Sequence, residues 1–183
     1  MVVNRRVAIR QILCISAGAV LIPACLQDKS KSSILLKNMK LDASQENLLA
    51  DLSDLIIPAT STPGARDLYT HLFALKMLDD CFTKEKQQQF LNGMKQFEAG
   101  VQKKYSSPFL KCSPENKKAI LADLESRKNS NDDSAFFYAT LKRLTIQGYT
   151  SSQYYLTNVQ IYEMVPGHYH GCVPVTNTSK KAS

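Results

Sequence analysis

From residue 41 onward, apolar residues return every three or four positions, in runs divided by proline, glycine and small polar residues. Leu48, Leu49, Leu52, Leu55 and Ile56 form the first run, the spacing of an amphipathic helix. Asp42 or Ser44 suits its N-cap, and Pro58 ends it by pushing the preceding residue out of the helical region. A loop of turn formers follows, Ala59-Thr60-Ser61-Thr62-Pro63-Gly64. A second helix is predicted from about Ala65 to Cys81, with Leu68, Leu72, Leu75 and Leu78 on one stripe and Phe73 and Met77 beside it. So wide an apolar arc predicts a central helix.

Thr83 can cap a third helix from Lys84 to about Tyr105, carrying Phe90, Met94, Phe97 and Val101. Gly93 and Gly100 weaken it without breaking it. Ser113 followed by Pro114 is an N-cap with proline at the first helical position, opening a fourth helix through Ile120, Leu121 and Leu124. After a polar turn at Asn129 to Asp133, a fifth starts at Asp133 or Ser134, runs through Phe137, Leu141, Leu144 and Ile146, and has Gly148 near its end. No stretch alternates with a period of two for long enough to predict a sheet. The expected fold is all-α, a single bundle of about five helices. An ordered C-terminal loop segment holding Tyr154, Tyr155, Tyr162 and Tyr169 is expected to lie on it.

The beginning of the chain follows other rules. Arg5 and Arg6 precede an apolar run that closes on Leu21-Ile22-Pro23-Ala24-Cys25. A basic start, a short hydrophobic stretch and small residues before a cysteine make a secretory signal. The arginine pair resembles a twin-arginine export signal, although Asn4 and Ala8 depart from its commonest form. The segment ending at Cys25 resembles a lipobox, whose cysteine is lipidated and becomes the new N-terminus. The alternative is an uncleaved span. The run from Gln11 to Ala24 is only 14 residues, short of the roughly 20 that a bilayer needs. The expected organisation is a signal peptide over 1–24, a Lys/Ser-rich tether over 25–40, a helical domain over 41–175 and a tail over 176–183. The expected location is the periplasmic side of a bacterial cell envelope.

Charge and cysteine content are read after that subtraction. The formal charge of +7 loses Arg5, Arg6 and Arg10 with the signal and falls to +4 over 159 residues. No basic block exceeds two or three residues, which argues against nucleic acid. Cys81, Cys112 and Cys172 remain, enough for one disulfide and one free thiol in an oxidising compartment. Three pairings are open; Cys81 with Cys172 is favoured, each lying beside a tightly patterned segment.

Motifs for cofactors are missing: no dinucleotide fingerprint, phosphate loop, haem attachment, H-E-x-x-H or G-x-S-x-G occurs. His168, His170 and Cys172 could supply three metal ligands, with His71 as a fourth, but the favoured reading is an exposed loop with two incidental histidines and a cysteine held in a disulfide, and no metal is expected. Adjacent Asp79 and Asp80 point about 100° apart on a helix, so a polar helix end is expected rather than an acid/base pair.

Several stretches together resemble one family. These are Asp54-Leu55-Ile56-Ile57-Pro58-Ala59-Thr60 with Thr62-Pro63-Gly64-Ala65, then Phe73 to Cys81, Gly148-Tyr149-Thr150-Ser151, and Val165-Pro166-Gly167 with Tyr169 and Gly171-Cys172-Val173-Pro174-Val175. The family is gluconate 2-dehydrogenase subunit 3, and the likeness covers about Leu41 to Val175. It implies a non-catalytic accessory subunit that assists folding, export or anchoring of a flavoprotein large subunit of the glucose–methanol–choline class. FAD would sit in that partner, with haem c in a third, cytochrome subunit. The expected interface residues are Thr62, Pro63, Gly64 and Arg66 together with Tyr149, Thr150, Ser151 and Tyr169. A different reading remains beside it: a stand-alone helical lipoprotein that binds a ligand or an envelope partner.

Overall fold

A computed structural model describes residues 32–127 and 132–160, together with Gly167 and Cys172. Its five main helices are α1 (Ala43–Ile56), α2 (Thr70–Cys81), α3 (Lys84–Tyr105), α4 (Pro114–Ser126) and α5 (Asp133–Thr150). A short 3-10 turn, Phe109–Lys111, precedes α4, and a π-helical turn, Tyr155–Val159, follows α5. Among the described residues there is no strand, so the all-α bundle is the observed fold.

Local chemistry sets the helix ends. Asp42 caps α1 in a capping box, accepting from Gln45 N at 2.8 Å while the Gln45 side chain accepts from Asp42 N at 3.1 Å. Thr83, Ser113 and Asp132 each cap the next helix through a side-chain oxygen. The α2 boundary differs from expectation. Residues 65–69 form turns, and the helix begins only at Thr70 because Tyr69 adopts a left-handed conformation, φ 52° and ψ 34°.

The central helix is α5, not the predicted α2. It packs against α3 and α2 and also meets α1 and α4. Shortening leaves α2 with Leu75 and Leu78 in the core and Leu72, Phe73 and Met77 only half-buried. Against α3 the contact is aromatic: Phe137 lies 4.9 Å from Phe90 and 5.8 Å from Phe97 between ring centroids. Phe97 meets Phe109 at 5.3 Å. Burying each ring contributes about 1.5–3 kcal/mol. Gly93 makes the crossing feasible, since a Cβ there would lie 1.9 Å from the Asp133 carbonyl oxygen.

Residues 32–40, expected to belong to a tether, lie against the bundle. Met39 is in the core, and Ile34, Leu36 and Leu41 pack on it. Asp79 fastens this strap: its buried carboxylate accepts from the backbone N–H of Lys37 at 2.6 Å and of Asn38 and Met39 at 2.8 Å each. Asn38 Nδ2 donates back to the Asp79 carbonyl at 2.9 Å. Burial alone would raise the Asp79 pKa, but the three donors hold it below the usual carboxylate range. Asp79 is therefore more than the polar helix end expected of it, while its neighbour Asp80 is exposed and pairs with Lys76 at 2.9 Å.

Candidate functional site

Two chain segments 86 residues apart meet at one end of the bundle: the Tyr149 hydroxyl donates to the Pro63 carbonyl at 3.0 Å. This contact joins the expected loop residues Thr62, Pro63 and Gly64 to the expected end of α5. The loop is held by its own backbone as well. Ala65 N donates to Ile57 O at 2.8 Å, Thr60 N to Thr62 O at 2.9 Å, and Leu68 N to Gly64 O at 3.2 Å. Gly64 N donates to the Asp67 carboxylate at 2.9 Å. Glycine is needed at this position, because a Cβ would fall 2.6 Å from Ala59 N.

Electrostatics ties the same loop to the helices. Asp51 of α1 accepts from the Arg66 guanidinium and, at 2.9 Å, from Lys117 of α4. Arg66 thus has an internal partner while half its side chain stays exposed. Burial raises the Asp54 pKa, Arg66 opposes that rise, and Asp67 and Asp51 add to it.

Beside the loop, α5 lies on α2 through Gly148, where a Cβ would come 2.8 Å from the Phe73 ring. The chain then turns away. Ser152 Oγ donates to Tyr149 O at 2.6 Å and accepts from Tyr155 N at 3.2 Å. Tyr155 meets the Tyr149 ring edge-on at 6.1 Å. The Thr150 and Ser151 hydroxyls bond back to carbonyls of their own helix, at 3.0 and 2.7 Å. An open groove of about 640 Å³ results, with Leu68, Phe73 and Gly148 along its apolar side and Ser151, Gln153 and Asn158 among its polar residues. Among the described residues no charged side chain lines it.

Sequence reasoning missed Tyr69. Its side chain is 65% exposed at the start of α2, on a backbone conformation that costs a non-glycine residue roughly 1–2 kcal/mol. A large exposed aromatic held in a strained position marks a candidate contact residue. Nothing in the residue type announces left-handed backbone; the only available hint was the crowd of turn formers just before it. Next to it, His71 is buried, its Nδ1 and the Thr70 hydroxyl have no partner, and burial lowers its pKa.

The other expected site residues fall elsewhere. Arg5, Arg6, Cys25, His168, Tyr169 and His170 lie outside the described residues. In this structure Cys81 and Cys172, expected to pair, are free thiols, as is Cys112, whose Sγ donates weakly to Pro108 O at 3.6 Å. Among the described residues no group of three or more His, Cys, Asp or Glu is placed to hold a metal. His71 is buried in the bundle. Among the same residues no helix is long and apolar enough to cross a membrane.

A family model described as gluconate 2-dehydrogenase subunit 3 matches residues 43–167, well over half of the chain. No curated protein and no solved structure matches it. The chain belongs to the gluconate 2-dehydrogenase subunit 3 family, whose members are accessory subunits of a dehydrogenase complex. The match spans α1 to α5 and takes in both segments that Tyr149 and Pro63 join.

Proposed function

We propose that this chain is the non-catalytic small subunit of an envelope-bound, FAD-dependent sugar or alcohol dehydrogenase, and that it assists folding, export or anchoring of the large subunit. The partner is a flavoprotein of the glucose–methanol–choline class, with a cytochrome c as a third member. In this reading Arg5 and Arg6 direct export by the twin-arginine route. Lipid on Cys25 then holds the complex on the periplasmic side of a membrane. A partner without its own signal has to bind a signal-bearing subunit before transport, over an interface of at least about 1,000 Å².

The observation that carries this reading is the surface where Tyr149 meets Pro63, next to the groove lined by Leu68, Phe73 and Gly148. A half-apolar groove with hydroxyl and amide groups has the composition of a protein interface, and Tyr69, exposed at the start of α2, is an aromatic of the kind that anchors one.

Affinity capture of the chain from solubilised membranes tests the assignment. A larger polypeptide with a flavin absorbance is expected to come with it, and Tyr69→Ala is expected to reduce that recovery several-fold without altering helix content. Capture of a colourless chain alone would favour the stand-alone lipoprotein.

A further inference from the structure

We propose that the strap of residues 32–40 is a membrane-seating element, with Leu35 inserting at the lipid interface and Lys37 and Lys40 meeting anionic headgroups. Leu35 is 93% exposed, more than any other large apolar residue described, whereas Ile34 and Leu36 on either side pack toward the core. A single exposed leucine is ordinary on a protein surface. Three features distinguish this one.

The first is position. Cys25 is seven residues before Ser32, so even a fully extended chain places the start of the strap within about 25 Å of a lipidated cysteine. The second is charge. Lys37 and Lys40 are exposed and make no ion pair among the described residues. Three acids that meet the strap or flank it are already engaged. Glu46 accepts from Ser33 N and Oγ at 2.6 Å each, Asp42 caps α1, and Asp79 is filled by three backbone donors. The third is rigidity. Met39 in the core and the Asp79 clamp fix the strap on the bundle, so seating it would orient the whole domain and not merely a loose tail. An apolar tip flanked by lysines suits the boundary of an anionic bilayer.

The proposal rests on lipidation of Cys25, and the two can be separated. The chain contains no tryptophan, so Leu35→Trp introduces the sole indole at a site whose exposure leaves the fold undisturbed. The full chain carrying Leu35→Trp is isolated from membranes and reconstituted in vesicles of phosphatidylglycerol and phosphatidylcholine. A blue-shifted emission and quenching by brominated lipid are expected. Neither is expected for Ile146→Trp, an exposed position on α5. Adding Lys37→Glu and Lys40→Glu should weaken seating by at least about 30-fold, from roughly 1 kcal/mol for each lysine at an anionic surface. An indole that keeps its aqueous emission and escapes quenching overturns the proposal, as does quenching equal to that of Ile146→Trp. Mass analysis of the N-terminal peptide reports lipid on Cys25 independently. An unlipidated cysteine sinks the anchoring reading, while a lipidated one with an unquenched indole sinks only the strap.

Discussion

The seam between α3 and α5 and the loop from Ile57 to Tyr69 hold their shapes by opposite means. Phe90, Met94, Phe97 and Phe137 close the seam with no polar group among them, and each is buried. The loop instead depends on backbone hydrogen bonds, the Asp51 ion pairs and the Tyr149 hydroxyl, much of it at the water boundary. Packing is cooperative and expensive to disturb. Exposed polar contacts are individually weak and exchange readily with water or a partner. The seam therefore carries the fold, and the loop can be recognised or remodelled without unfolding the protein.

Phe137→Ala should separate the two most sharply. The ring touches Phe90 and Phe97 and is fully buried, so truncation should cost about 3–5 kcal/mol. Urea unfolding followed by circular dichroism checks this. A loss under about 1 kcal/mol would mean the seam is not the core.

Asp79→Asn stands between the extremes, because it breaks a polar cluster that is buried like the seam. An amide can accept from only part of the Lys37, Asn38 and Met39 N–H set and turns its own donors toward it. The expected cost is about 1–3 kcal/mol. Amide hydrogen exchange should show residues 37–39 losing protection first, with the seam unchanged.

Most of the seam was legible in the sequence, and much of the loop end was not. Asp42, Pro58, Thr83, Ser113 and Pro114 act through neighbours within four residues, so their effect on helix ends can be read locally. Thr62-Pro63-Gly64 and Tyr149 were identified as one surface only through the family resemblance, and the hydrogen bond between them supplies the physical reason. Asp79 gave no signal, because its partners lie some 40 residues earlier in a strap whose polar composition resembles a tether. The central place of α5 was hidden for a related reason. Small residues such as Ala135 and Gly148 permit close approach but add little to a hydrophobic stripe. Tyr69 shows the limit: strain belongs to the backbone path, not to the side chain that bears it.

Acid should sharpen the contrast by acting at the loop end. His71 is buried, and desolvation lowers its pKa; Glu46 opposes this and Arg66 reinforces it. The unfolded chain then binds more protons than the folded one as pH drops below about 6.5, so stability is retained above that value and falls beneath it. Asp54 and Glu98 have pKa values raised by burial, so they act in the opposite direction. His71→Gln should flatten the decline between about pH 7 and pH 5 relative to the parent chain. Identical slopes in the two proteins would show that His71 is not the group responsible.

Tyr149→Phe is the gentlest change and the most informative about the loop. It retains the ring that meets Tyr155 and deletes one hydrogen bond, to Pro63 O. Pro63 is only half-buried, so water can replace the lost donor and the cost should lie near the low end of about 0.5–1.5 kcal/mol. Global unfolding should hardly move, while the amides of Ala65 and Leu68 exchange faster as the loop loosens from α5. Recovery of the large subunit should fall in proportion to that loosening, since a looser surface must be ordered again on binding. Unaltered exchange at Ala65 and Leu68 would mean that the loop's own backbone bonds hold it, leaving the hydroxyl without a part in shaping the surface.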